Sequence, residues 1–204
     1  MIDYLEIDPR IKIRSPGDLL RCDRIIHVNK FNEASVKQFK DEFMDAHETG
    51  QEIIPIIIDS FGGSVYAVLA MADLIKTSNK TVATIVMGKA MSCGAVLLTC
   101  GDEGFRYASP TSTVMIHDVS SMSWGKVEEM KADVGESVRL NKLIFGLMEK
   151  NCGLEKNTLL DQLRKEYNSA DWFLTPTQAR KNNLVNHIKV PKLITKVSIT
   201  TELI

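Results

Sequence analysis

The 204-residue chain has no surplus of one charge: 25 Lys and Arg stand against 26 Asp and Glu, for a formal net charge of −1, and both signs are spread along its length. Holding nucleic acid or an anionic membrane takes a clustered excess, so neither is an expected partner. Cysteine is scarce. Cys22, Cys93, Cys100 and Cys152 form no C-x-x-C pair and have no histidine at metal-ligand spacing, which argues against a zinc site or a disulfide scaffold and fits a reducing cytoplasm. No apolar run approaches the roughly 20 residues of a membrane span. Met1 to Glu6 lacks the basic-then-apolar pattern of a secretory leader, so a cytoplasmic, unprocessed chain is expected. Internal repeats, low-complexity tracts and a phosphate-cradling G-x-x-x-x-G-K-[ST] loop are also missing; no cofactor or metal is called for.

What is present is a 44% hydrophobic chain, enough for one sizeable core. After a polar arm broken by Pro9 and Ser15-Pro16-Gly17, Arg24 to Val28 reads as a strand and Ala34 to His47 as an amphipathic helix with Phe39 and Phe43 on one face. Ile53 to Ile58 is a nearly continuous apolar strand of the kind buried on both faces of a parallel sheet, and Pro55 suggests a late start. A turn, Asp59-Ser60-Phe61-Gly62-Gly63-Ser64, leads to a helix over Val65 to Lys76, then to a strand over Thr81 to Met87. Strand and helix in alternation predict an α/β fold with a parallel sheet and right-handed crossovers. Further on, Phe105 to Tyr107 and Thr113 to His117 read as short strands. A long helix is expected from about Gly125 to Asn151, with Val127, Met130, Val134, Val138, Leu143 and Leu147 along one stripe, either lying across its own domain or reaching another subunit. Thr175-Pro176 opens another helix, and the tail from Val197 to Ile204 has strand-like alternation.

One stretch places a hydroxyl between apolar flanks: Gly88-Lys89-Ala90-Met91-Ser92-Cys93-Gly94-Ala95-Val96-Leu97-Leu98. The preceding strand is closed by Gly88, and Ala95 to Leu98 reads as a short helix ending at Gly101. Ser92 then lies at a strand-to-helix turn, where N–H groups are unpaired and the helix dipole is positive. A serine there is most often only a helix cap. A second turn of the same kind carries Gly62-Gly63, whose glycines permit close backbone approach. In a parallel sheet both turns fall at the carboxyl ends of strands, where N–H groups of Gly63 and Cys93 can converge on one oxygen. His117 emerges at the end of an apolar strand, a setting that His27, His47 and His187 lack. The acid that would orient it is left open: Asp171, in an aromatic context, competes with Asp118, Asp161 and Glu166. The Cys93 thiol, beside Ser92 at a helix start, is expected to favour the thiolate if solvent reaches it.

Taken together, Asp59-Ser60-x-Gly62-Gly63, Gly88-x-Ala90-x-Ser92-x-Gly94-Ala95, Val114-Met115-Ile116-His117 and Asp171-x-Phe173-Leu174-Thr175 resemble the proteolytic subunit of the Clp protease, a serine peptidase family, over about Leu19 to Ile188. The motifs follow the family's order. The resemblance implies Ser92 as nucleophile, His117 as general base, Asp171 as orienting acid and the N–H groups of Gly63 and Cys93 as oxyanion hole. It implies a peptide substrate held as an added strand between Gly63-Ser64-Val65 and Val119-Ser120-Ser121. It also implies an α/β fold of the ClpP/crotonase type, a spiral of strand-helix units with a protruding handle helix. Two heptameric rings would stack around a chamber fed by an AAA+ ATPase unfoldase. Residues 1–18 would be an N-terminal arm, 19–190 the peptidase domain and 191–204 a C-terminal tail. Phe61 and Val119 stand where the family usually has proline, and Cys93 where it has methionine. Ala170 replaces a residue that is often basic, and the segment from Cys152 to Asp171 is longer than usual.

Two other classes compete. A crotonase-like enzyme acting on an acyl-CoA would share the fold and the paired N–H groups but needs no serine nucleophile, and a non-catalytic ring subunit would not need the Ser, His and acid set. A Ser-Lys pairing through Lys89 would leave His117 unexplained.

Overall fold

The computed structural model describes residues 24–49, 51–167 and 171–192. The proposed arm at 1–18, Cys22, Ala170 and the strand-like tail at 197–204 lie outside the described residues. The described chain begins with three strand-helix units: β1 (Ile26–Val28), α1 (Glu33–Glu48), β2 (Ile53–Ser60), α2 (Val65–Lys76), β3 (Thr81–Met91) and α3 (Cys93–Thr99). Two short strands follow, β4 (Arg106–Ala108) and β5 (Thr113–Ile116), then the long helix α4 (Val127–Asn151) and α5 (Thr158–Tyr167). The last elements are β6 (Trp172–Leu174), α6 (Pro176–Lys181) and β7 (His187–Ile188).

Among the described residues the strands make one seven-stranded sheet in the order β1-β2-β3-β4-β7, with β5 joined to β3 and β6 to β5. Every pairing is parallel except β5 with β6. The parallel α/β expectation therefore holds, and β2 carries the fully buried Ile54, Ile56 and Ile58 that its apolar run predicts. Pro55 does not delay the strand. It pairs with Ala83 just before β1 joins at Ile56, where β2 is still an edge on that side and a missing N–H is tolerated.

The largest departure from the sequence reading is in β3. Gly88 does not end the strand. It sits at φ +98, where an added Cβ would lie 2.8 Å from Asp59 Oδ1, and it bends β3 without stopping it. The strand pairs with β4 through Val86 and with β5 from Lys89 to Met91, so one long strand serves two neighbours and delivers Ser92 beyond the sheet's main body. Every residue of α3 is buried, which explains the lack of a polar face in Ala95 to Leu98.

The core is Phe39 and Phe43 of α1, the β2 isoleucines, Val68 and Met71 of α2, and Leu97 and Leu98 of α3. The long helix joins it only through its second half, by Leu140, Ile144, Phe145 and Met148. The stripe read from the sequence is mostly not its packing face: Val127, Met130, Val134, Val138 and Leu143 are exposed, and of the six only Leu147, partly buried, packs against the core. Helix α5 and strands β6 and β7 were not read in advance: β6 and β7 are three and two residues long, too short to show a period, whereas the ten-residue α5 does carry an apolar face, Leu159, Leu160 and Leu163, that the sequence reading passed over.

Candidate active site

Ser92 caps α3 with φ 55 and ψ −119, a left-handed backbone that a non-glycine residue adopts only when its surroundings impose it. Those surroundings are visible on both sides. Its N–H donates to Met115 O at 2.9 Å, while its own carbonyl accepts from Ala95 and Val96 at 2.9 and 3.2 Å. The serine is fixed to β5 behind and to α3 ahead, so its hydroxyl is turned out of the cap position; it makes no side-chain cap bond.

Sheet register supplies the partners. Met91 pairs with Met115, so His117, just past the end of β5, lies beside Ser92, just past the end of β3. His117 Nε2 is 2.9 Å from Ser92 Oγ. The antiparallel match of Ile116 with Trp172 then brings Asp171 opposite His117. The separation from His117 Nδ1 to Asp171 Oδ1 is 3.7 Å, longer than a hydrogen bond, and the carboxylate is 53% exposed. Of the acids left open by the sequence, Asp118 accepts from Asn141 Nδ2 at 2.6 Å. Glu166 accepts from Gln162 at 3.4 Å within α5, the helix that also carries Asp161. Lys89 is held by Asp59 at 2.6 Å.

The two turns also meet. Gly62 is packed so closely on the nucleophile that a Cβ there would stand 2.7 Å from Ser92 Cβ and 3.1 Å from its Oγ; with φ +110 the position admits only glycine without strain. Gly63 forms a parallel bridge with Phe31, made through the Ser64 N–H donating to Phe31 O at 2.8 Å. On its other side the Gly63 carbonyl accepts the Cys93 thiol at 3.2 Å. Cys93 is the first residue of α3, and its N–H has no intrahelical acceptor.

The reactive thiol expected at Cys93 is not supported. The side chain is only 2% exposed, and burial pushes its pKa up, against smaller opposing effects of hydrogen bonds from its neighbours. A thiol held neutral and covered does not behave as a nucleophile.

Beside Ser92 opens a pocket whose inner wall is apolar: Val96, Ile116, Ile144, Phe145 and Met148. Its rim includes Gly63, Val65, Val119 and Ser120. Ser64 and Ser121, two other residues read as substrate contacts, are exposed at the edges; Ser121 Oγ lies 2.9 Å from Ser137 Oγ of α4. Asn141 was not anticipated. It is buried in α4, accepts the Val119 N–H at 3.0 Å and anchors the segment that follows His117. An amide directly after Leu140 and shortly before Leu143, Ile144 and Phe145 was the available sign.

A model of the Clp protease family matches residues 12–192. The chain belongs to the Clp protease family. It is 33% identical over 145 residues to the ATP-dependent Clp protease proteolytic subunit of Deinococcus radiodurans, covering 71% of this chain and 68% of that one. A protein of the same name from Borreliella afzelii is 31% identical over 148 residues, covering 72% of each chain. The family resemblance read from the motifs is thus established, and the paired turns and histidine lie within the matched span.

Proposed function

We propose that the chain is the serine endopeptidase subunit of a Clp-type protease and that Ser92, His117 and Asp171 form its catalytic triad. The observation that carries the reading is the 2.9 Å contact between Ser92 Oγ and His117 Nε2 at a strained strand-to-helix turn. Ser92 Oγ attacks the peptide carbonyl as its proton passes to His117 Nε2. Collapse of the tetrahedral adduct breaks the C–N bond, and the same proton goes to the leaving amine. Water, deprotonated by His117, then hydrolyses the acyl ester. Asp171 holds the imidazole in the tautomer with its proton on Nδ1, closing from 3.7 Å to hydrogen-bond range when substrate is in place.

Developing charge on the carbonyl oxygen is met by the N–H groups of Gly63 and Cys93, which need not reorganise because the α3 start and the Gly62-Gly63 turn are already packed on the nucleophile. Substrate is extended, pairing with Gly63, Ser64 and Val65 on one side and Val119, Ser120 and Ser121 on the other. The residue before the scissile bond points into the pocket floored by Ile144, Phe145 and Met148, which favours an apolar side chain.

The relatives named ATP-dependent Clp protease proteolytic subunits support the assembly part of the reading. Residues 19–190 act as the peptidase domain between an arm at 1–18 and a tail at 191–204. Helix α4 serves as a handle between two heptameric rings of a spiral α/β subunit, and an AAA+ ATPase supplies unfolded polypeptide. The test is labelling with a fluorophosphonate probe alongside cleavage of an unfolded protein. Covalent label and turnover in the wild type, both absent in Ser92→Ala, are expected; turnover that survives in Ser92→Ala rejects the mechanism.

A further inference from the structure

Phe61 is 74% exposed, unusual for a phenylalanine next to a catalytic turn. It is nonetheless held. Lys89 Nζ lies 4.3 Å from the ring centroid, and the same ammonium is 2.6 Å from Asp59 Oδ1. Lys89 and Phe61 face each other because Ser60 pairs with Ala90 across the bend that Gly88 puts in β3. A cation over one face fixes the ring and leaves its other face open, at little further entropic cost to a ligand that stacks there.

The position of this ring relative to the nucleophile gives it a direction. Gly62, the residue after Phe61, packs on Ser92, whereas the apolar pocket is lined by Gly63, Val65 and Val119 and by neither Phe61 nor Gly62. A substrate whose acyl residue fills that pocket therefore leaves Ser92 across Gly62 and Phe61. We infer that Phe61, braced by Lys89 and Asp59, is a specificity shelf for the residue that immediately follows the scissile bond, and that it selects an aromatic or branched apolar side chain. This rests on the peptidase reading above. Because Asp59 neutralises Lys89 and its carboxylate is half exposed, the shelf offers apolar surface and no binding site for an acidic residue. Lys89 is a positioning residue here: it acts on the substrate through the ring.

The test uses internally quenched peptides identical except after the scissile bond, where they carry Phe, Leu, Gly or Glu. The wild type is expected to prefer Phe and Leu over Gly and Glu in kcat/KM by roughly three- to tenfold, the size of one aromatic contact. Phe61→Ala should bring the Phe-to-Gly ratio to within about twofold, Lys89→Gln should lower it partway, and Lys89→Arg should restore it, since guanidinium also stacks on a ring. A second measurement needs no variant. Added amines compete with water for the acyl-enzyme: the amine nitrogen attacks the ester carbonyl, the C–N bond forms, the C–Oγ bond breaks, and the amine proton returns through His117 to Ser92 Oγ. Phenylalaninamide should capture more acyl group than glycinamide at equal concentration. Equal capture of the two amines, a preference for Glu, or a Phe61→Ala enzyme that slows on all four peptides alike overturns the shelf. Failure of the peptidase reading looks different: the wild type then takes no fluorophosphonate label at Ser92, and the shelf falls with it.

Discussion

Strain at Ser92 is maintained by the bonds that flank it, so the residue has little freedom to relax and its hydroxyl is held at His117 before substrate arrives. Asp171 is the less constrained partner, at 3.7 Å and half exposed. Asp171→Asn leaves the imidazole free to take the wrong tautomer and should lower kcat by about 10³ to 10⁴. Glu166→Gln should keep kcat within a few-fold, because that carboxylate is exposed and contacts Gln162 within α5; single-turnover peptide hydrolysis compares the two. Cys93 tests a different point. Cys93→Ala keeps the backbone N–H and loses only a weak thiol bond to the Gly63 carbonyl, so its turnover should fall less than about tenfold, against roughly 10² to 10³ for loss of an oxyanion donor. Iodoacetamide at neutral pH should leave the covered wild-type Cys93 unmodified, as mass spectrometry of the labelled peptides would report.

At the scale of elements, register decides the site. Ser92, His117 and Asp171 are distant in sequence, yet each follows or precedes one paired strand position, in the matches Met91 with Met115 and Ile116 with Trp172. The alternation of strands and helices and the small-residue turns at 62–63 and 92–94 were legible in the sequence because each follows from local chemistry. Local chemistry left four acids open and only the family resemblance pointed to Asp171; the contact itself depends on β6 pairing antiparallel with β5, and a three-residue strand has no period to read. Glu149 was hidden for a similar reason. It is buried at the end of α4 and accepts the N–H groups of Asn157 and Leu159 at 2.8 and 2.9 Å, taking up orphan donors at the start of α5 where the helix dipole also favours a carboxylate. Glu149→Ala should cost about 2 to 3 kcal/mol in urea unfolding, and Glu149→Gln less, since the amide keeps one acceptor. Cys152, next along from α4, adds a pH dependence. Burial pushes its thiol up to about 11 from 9.0, with Arg106 opposing. The unfolded thiol ionises first, so this contribution is intact below pH 9.0 and is lost as pH rises toward about 11. Unfolding free energies from urea titrations between pH 8 and 10.5 should fall by up to about 1.4 kcal/mol per pH unit for this group, and Cys152→Ala should flatten the decline. Cys100, pushed to about 12 by burial, acts in the same direction and remains in that variant.

At the scale of the molecule, the apolar surface is unevenly placed. Met122 and Trp124 are each 97% exposed, and they continue into Val127, Met130 and Val134 of α4, which are 66%, 42% and 59% exposed. Among the described residues none of these five belongs to the core, and an exposed apolar tract along half a helix is a surface that another copy can cover. Folding within one subunit does not require them: α4 enters the core only from Leu140 onward, while its first half is fastened to the preceding segment by polar contacts such as Ser123 with Asp133 at 2.6 Å. The stacking of rings proposed above and the stability of the subunit should therefore separate. Met130→Lys with Val134→Glu places charge in the tract without touching the core. In the double variant, sedimentation velocity should show the large assembly replaced by a species of about half its mass. Thermal unfolding of that species should stay within the small range expected for surface substitutions. Trp124 offers a second readout, because its emission should shift to the blue when wild-type rings stack and cover the indole. A double variant that still sediments at full mass, with Trp124 emission unchanged between dilute and concentrated wild type, would mean that this tract is not where the rings meet.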